Sequence, residues 1–212
     1  MALNVAYLTH NRSYYTGITL PRVVDECKRF GAKLHIFDDA STDDTLKLLE
    51  RVAFDFELIR GDYHNTVWQF NWMLERYKEG LMYYLGNDII LPEGIFSKLT
   101  DVMNRDPELC SVMIQETGGL PYMINDEMEY HTFTSSLGIH RLEAFAEIPT
   151  YKRYFGFQEG QRAAIERGYK VARMKGMGNT NLDMSPWGRQ MEYEQAGYAR
   201  SGLVSPQNNV WK

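Results

Sequence analysis

Two rhythms of apolar residues alternate along the first half of the chain. Val5 to Leu8 is a short apolar strand, and Leu20, Val23, Val24, Cys27 and Phe30 then recur at helical spacing, with Pro21 placed in the first turn and Gly31 as terminator. Lys33 to Phe37 predicts a second strand, stopped by Asp38-Asp39. Ser41-Thr42-Asp43-Asp44 has the Ser-x-x-Asp form of a capping box ahead of Leu46, Leu49 and Val52. A short apolar segment at Phe56 to Ile59, a helix carrying Val67, Phe70, Leu74 and Tyr77, a strand at Leu81 to Leu85 and a helix after Pro92 continue the alternation.

Strands alternating with helices of about ten residues imply parallel strands joined by right-handed crossovers. The fold class expected is therefore α/β, a mostly parallel sheet with helices on both faces. The pattern loosens after a strand at Cys110 to Ile114. Loops are expected through Gly118, Gly119, Pro121 and the acidic stretch Asn125 to Glu129. Order returns with an apolar segment near Phe133 to Ile139, a short helix Arg141 to Glu147, a helix ending at Gly168 and a strand Tyr169 to Met174. Residues 179–212, rich in Gly, Asn, Ser and aromatics, receive no assignment. There is no internal repeat.

With 212 residues the chain suits one domain, 1–212. Its 44% hydrophobic and 24% charged residues exclude wholesale disorder. No run approaches the roughly 18–20 apolar residues that span a bilayer, and the opening strand leads straight into polar His10, Asn11 and Arg12, so neither signal peptide nor membrane anchor is expected. A net charge of −5 argues against binding nucleic acid through global charge. Between Lys152 and Lys175, however, seven Lys and Arg face only Glu159 and Glu166, which is either a solvated helix face or an anion site. Cys27 and Cys110 lie far apart inside apolar patterns, as buried thiols of a reducing compartment do, and a cytoplasmic location is expected.

In an open parallel sheet, ligands bind beyond the carboxyl ends of the strands. Those ends carry Thr9-His10-Asn11-Arg12, Asp38-Asp39-Ala40-Ser41 and Gly86-Asn87-Asp88, and the helix after the third strand carries Asn71. Taken singly, each is also a common turn or helix-start device. Jointly, carboxylates at two strand ends with Asn and Arg at a third suit a ribonucleotide whose diphosphate is bridged by a divalent cation. Asp39 is expected to recognise the nucleoside, with Thr9, Asn11 and Arg12 closing the pocket and Asp38 structural.

These segments together resemble the GT-A type family 2 glycosyltransferases. VAYLTHNR resembles the family's first strand, HIFDDASTDDT its Asp-Asp-Gly-Ser-x-Asp-x-Thr hallmark, and YYLGNDIILPEG the Leu-Asn-Asn-Asp-x-x-x-Pro-x-Gly variant of rhamnosyltransferase-like members. SSLGIHRLEAFAEI and IERGYKV are similar to later segments, so the resemblance runs from about Asn4 to Met174. It implies a GT-A fold, Rossmann-like and nucleotide-binding, with a nucleotide-sugar-binding half (1–115), an acceptor and catalytic half (116–178) and a C-terminal tail (179–212). It also implies inverting transfer of a hexosyl or pentosyl group from a nucleoside diphosphate sugar to a hydroxyl, assisted by Mn²⁺ or Mg²⁺. On matching positions, Thr9, Asn11, Arg12, Asp39 and Asn87 would hold the donor, Asp88 the metal, and Glu159 would be the general base; Asn71 joins the donor set from its place on the helix after the third strand.

The departures from that pattern are specific. The usual Asp-x-Asp is reduced to Asp88 flanked by Asn87, Gly160 stands where the family has its basic Asp, and Asn179 and Asn181 stand where a metal-binding His often follows the last core strand. Glu116, Asp126 and Glu127 are fallback bases, and Arg60 or Arg153 fallback cations. A catalytically eroded nucleotide-binding protein is therefore one alternative; a nucleotidyltransferase of similar fold, which needs more than the one basic residue of THNRSYYTG, is another. The acceptor stays open: a saccharide, a lipid-linked saccharide or a modified DNA base. Tyr122, Tyr130, Phe133, Tyr151, Tyr154, Phe155 and Phe157 either stack on it or belong to the core.

Overall fold

The computed structural model describes residues 2–62, 66–114, 120–146, 148, 156–176 and 180–181. In chain order the elements are β1 (Leu3–Thr9), α1 (Ser13–Phe30), β2 (Lys33–Asp39), α2 (Thr45–Leu49), β3 (Phe56–Gly61), α3 (Thr66–Arg76), β4 (Leu81–Gly86) and β5 (Ile89–Ile90). They continue with α4 (Ile95–Arg105), β6 (Leu109–Met113), β7 (Met123–Ile124), β8 (Met128–His131), β9 (Gly138–Arg141), α5 (Leu142–Ala146), α6 (Gly156–Glu166), β10 (Lys170–Met174) and β11 (Thr180–Asn181). Among the described residues nine strands form one sheet in the order β3-β2-β1-β4-β9-β6-β10-β8-β7. β11 and β5 form a small antiparallel pair.

Period-two alternation divides the core between the two faces of this sheet. Leu81, Tyr83 and Leu85 of β4 point to the layer built by α1, α2 and α4, where they meet Val23, Cys27, Leu49 and Phe96. Met82 and Tyr84 point the other way, to the layer of Phe70 and Met73 from α3, Phe145 from α5 and Phe157 from α6. Both layers exclude water, so the strands between them read as continuous apolar runs. Cys27 and Cys110 are buried free thiols, each pushed up to about 12 by burial.

The structure confirms the mostly parallel sheet and corrects it in the second half. β1 pairs in parallel with β2 and β4, β2 with β3, and β6 with β10. β9 lies antiparallel between β4 and β6, however, and β8 is antiparallel to β10. The expected loop around 120–131 contains the β7–β8 hairpin, whose turn is closed by Asn125 Oδ1 accepting from Glu127 and Met128 N–H. Those two strands are only two and four residues long. The entry into β9 is tight: a Cβ on Gly138 would stand 2.5 Å from Val112 O.

Two helix boundaries also differ from expectation. α1 begins at Ser13, so Pro21 lies well inside it rather than in its first turn, whereas Gly31 does end it in a left-handed conformation with its N–H on Cys27 O. The early turns, SYYTGIT, have weak helical propensity; buried hydrogen bonds of Thr16 and Thr19 hold them instead. The capping box does not form. Ser41 Oγ accepts from Asn11 N–H, and Asp43 Oδ1 takes the Thr45 N–H at the start of α2. Glu116, Glu147, Tyr151, Lys152, Arg153, Tyr154, Phe155, Asn179 and the tail from residue 182 lie outside the described residues.

Candidate active site

β1, β2, β3 and β4 run in one direction, so Thr9, Asp39, Gly61 and Gly86 end at one edge of the sheet. Described residues with positive φ other than glycine are Asn11 (52°), Arg12 (60°) and Ala40 (51°), all in the loops leaving β1 and β2. Such backbone costs energy and persists only where its surroundings hold it. Here the hold is a polar lattice. Asn11 Oδ1 accepts from Thr42 N–H at 2.9 Å and from Asp43 N–H at 3.3 Å, while Asp43 Oδ2 accepts from Ser13 N–H, the first amide of α1, at 2.7 Å. Burial pulls the Asp43 pKa up, but the hydrogen bonds from Thr45 and Ser13 outweigh it, so the group sits below the usual carboxylate range and stays charged opposite the positive end of the helix dipole.

A second set of bonds lies beneath the first. Asn87 Nδ2 approaches Asn11 O at 3.0 Å and Thr9 Oγ1 and Thr16 Oγ1 at 3.2 Å each. Thr19 Oγ1 bonds to Asn87 O at 2.9 Å and to the Tyr7 hydroxyl at 2.8 Å. Burial pushes the Tyr7 phenol above its ordinary range, so the hydroxyl keeps its proton for this network.

Of the predicted site residues, Thr9, Asn11, Arg12, Asp39, Asn87 and Asp88 all belong to this strand-end cluster. Asp39 is half-buried at the end of β2, and its carbonyl is bonded by His10 Nδ1, which ties the first two strand ends together. Arg12 lies 5.8 Å from the Tyr15 ring centroid. Asp38 is fully buried: Oδ2 accepts from Arg60 Nε at 3.1 Å and Ser41 N–H at 3.2 Å, while Oδ1 has no hydrogen-bond partner among the described residues. Asn71 is buried midway along α3, about 8 Å of helix rise from Thr66. Glu159 is exposed in the first turn of α6, and among the described residues no hydrogen bond joins it to the cluster. Tyr130 and Phe157 are core residues, whereas Tyr122 and Phe133 are exposed.

Asp88 is half-buried, and its Oδ1 stands 2.8 Å from where a Cβ on Gly86 would be, so the carboxylate folds back over the end of β4 in space that glycine leaves. β11 brings Asn181 opposite Ile89, beside that turn. Among the described residues there is no group of three or more His, Cys, Asp and Glu able to hold a metal ion. One half-buried carboxylate nevertheless fits a hard cation whose other ligands are diphosphate oxygens and water. Thr16, Thr19 and Asp43 are neighbours in this cluster that the sequence did not single out as site residues. Only Asp43 had a local signal, as the third acid of the DDASTDD run.

No protein family matches this chain by sequence, and no curated protein matches it. Solved structures do. TarS 1–349 from S. aureus superimposes with a TM-score of 0.64 at 13% identity over 86% of this chain and 61% of that one. TarS 1–349 in complex with UDP-GlcNAc gives 0.64 at 13% over 84% and 57%. The mannosyltransferase PcManGT from Pyrobaculum calidifontis, in complex with GDP-Man and Mn²⁺, gives 0.68 at 13% over 97% and 66%. The chain thus spans less than two thirds of the length of each of these three. At that identity the likeness shows the fold alone, and the fold is GT-A.

Proposed function

We propose that this protein is a glycosyltransferase that moves a sugar from a nucleoside diphosphate donor to a hydroxyl acceptor. The observation that carries the reading is the convergence of Asp39, Arg12 and Asp88 on one sheet edge, around left-handed turns that a polar lattice holds in place. Neighbours of the same fold are complexes with UDP-GlcNAc and with GDP-Man and Mn²⁺, which supports a nucleotide sugar as donor and a divalent cation as helper. The family 2 type, with inversion, rests on the motif resemblance.

In this reading the Asp39 carboxylate accepts from the nucleoside's N–H or ribose hydroxyl groups, beside Thr9, Asn11 and Arg12. Asp88 would hold Mn²⁺ or Mg²⁺, which when bound neutralises charge on the diphosphate. The acceptor oxygen bonds to the anomeric carbon as the bond to the diphosphate oxygen breaks, Glu159 takes the acceptor proton, and Arg12 faces the departing charge. Among the described residues no helix is long and apolar enough to cross a membrane.

The lone acid at the β4 end favours a second reading, a nucleotide-binding protein of this fold that has lost transfer. Thermal shift with UDP, GDP and their sugars, with and without Mn²⁺, followed by measurement of donor turnover, separates the two. Stabilisation with turnover supports the transferase, stabilisation without turnover the binding protein, and no shift with any nucleotide rejects both.

A further inference from the structure

We propose that Asn87 is a positioning residue and not a vestigial metal ligand: its amide pins the Asn11 carbonyl and so sets the spacing between Arg12 and Asp88. This rests on the donor-site reading above. Asn87 is 6% exposed, and its side chain turns away from the open edge, into the protein. Two amide hydrogens face three oxygens, those of Asn11 O, Thr9 Oγ1 and Thr16 Oγ1. The two hydroxyls, 3.3 Å apart, can donate to each other, but the Asn11 carbonyl can only accept. An amide therefore satisfies this pocket, whereas a carboxylate would set oxygen against oxygen at 3.0 Å in a buried place.

The pinned atom has a special location. Asn11 O also receives Thr45 Oγ1–H at 3.3 Å, so the β4–β5 turn and the start of α2 meet on one carbonyl of the left-handed pair Asn11-Arg12. Arg12 follows Asn11 directly and Asp88 follows Asn87 directly. One hydrogen bond between the preceding residues thus fixes the interval between a cation and a carboxylate, the two charges that would flank a donor diphosphate. Asn beside Asp88 is in this light a requirement for a donor.

The test compares wild type with Asn87→Asp, which keeps shape but removes both donors, and with Thr16→Val and Thr16→Ser. Affinity for UDP and for GDP is measured in EDTA, and affinity for Mn²⁺ alone is measured separately. Asn87→Asp is expected to weaken nucleotide binding about ten- to a hundredfold with no gain in Mn²⁺ affinity. Thr16→Val should weaken it less, and Thr16→Ser, which retains the hydroxyl, should restore it. Unchanged nucleotide affinity, or Mn²⁺ bound tenfold more tightly by Asn87→Asp, overturns the proposal. If Asn87→Asp does not fold, the Thr16 pair carries the test: equal nucleotide affinity in both variants overturns it. If the wild type binds neither nucleotide, the donor reading fails and the clasp is judged on backbone amide resonances of Asn11 and Arg12. Shifts in Asn87→Asp and Thr16→Val then support it, and unmoved resonances overturn it.

Discussion

Two buried polar clusters in this protein are built alike and placed differently. At the strand ends, Tyr7, Thr19, Asn87, Thr16 and Thr9 form a network in which acceptors outnumber donors and which ends on left-handed backbone at Asn11. In mid-sheet, His140 donates from Nε2 to Ser136 O and accepts at Nδ1 from the Ser111 hydroxyl, inside a box formed by the rings of Phe70, Phe145 and Phe157. The second cluster is saturated and enclosed; the first is tied to loops that reach the edge. Perturbing the first should thus change what the protein binds, and perturbing the second whether it stays folded.

The largest expected effect lies outside both clusters and tests the functional side. Glu159→Gln should slow sugar transfer by on the order of 10² to 10⁴ while donor affinity persists. Near-normal transfer would pass the role of base to Asp126 or Glu127 on the β7–β8 turn, or to Glu116.

Acid should damage the enclosed cluster next. Burial pushes His140 down from 6.5 to about 4, against the opposing bond to Ser136, so the unfolded chain takes a proton there before the native one does. Its contribution to stability is complete above pH 6.5 and is lost as pH falls from 6.5 to about 4, for a cost near 3 kcal/mol. Burial lowers His35 and His131 in the same direction, which steepens the slope. Urea unfolding at pH 7.5 and 4.5, with His140→Phe as the variant that cannot titrate, measures the His140 share; equal slopes in both proteins would sink the assignment.

Asp39→Ala comes next, with nucleotide affinity expected to fall about ten- to a hundredfold at unchanged unfolding midpoint. Calorimetric titration checks it, and a lower midpoint with intact affinity would reverse the contrast between the regions. Gly138→Ala should do the opposite. Its Cβ would collide with Val112 O, at a cost of about 1–3 kcal/mol in stability, while nucleotide affinity per folded molecule stays at the wild-type value.

How much of this was legible in the chain follows from the range of each interaction. The strands of the first half and the ends Thr9, Asp39 and Gly86-Asn87-Asp88 could be read because burial on both faces writes an unbroken apolar run and a polar residue ends it. The β7–β8 hairpin escaped because strands of two and four residues carry no period, and the antiparallel placement of β9 escaped because a strand's direction leaves no mark on its own sequence. The start of α1 escaped for a related reason: SYYTGIT is helical through bonds to Asn87, some seventy residues away in sequence.

The site divides along the same line. Sequence by itself determined the α/β class, the edge at which the polar strand ends gather and the acids available there, since these depend on local pattern and on the rule that parallel strands expose their carboxyl ends together. Tertiary structure alone decided what each polar group does: that Asn87 turns inward to Thr9, Thr16 and Asn11, that Asp43 caps α1 from another loop, that His10 joins β1 to β2, and that Ser41 serves Asn11 instead of its own helix. A hydrogen bond is a matter of a few tenths of an ångström and an angle, and between residues thirty or seventy positions apart only the folded chain sets either.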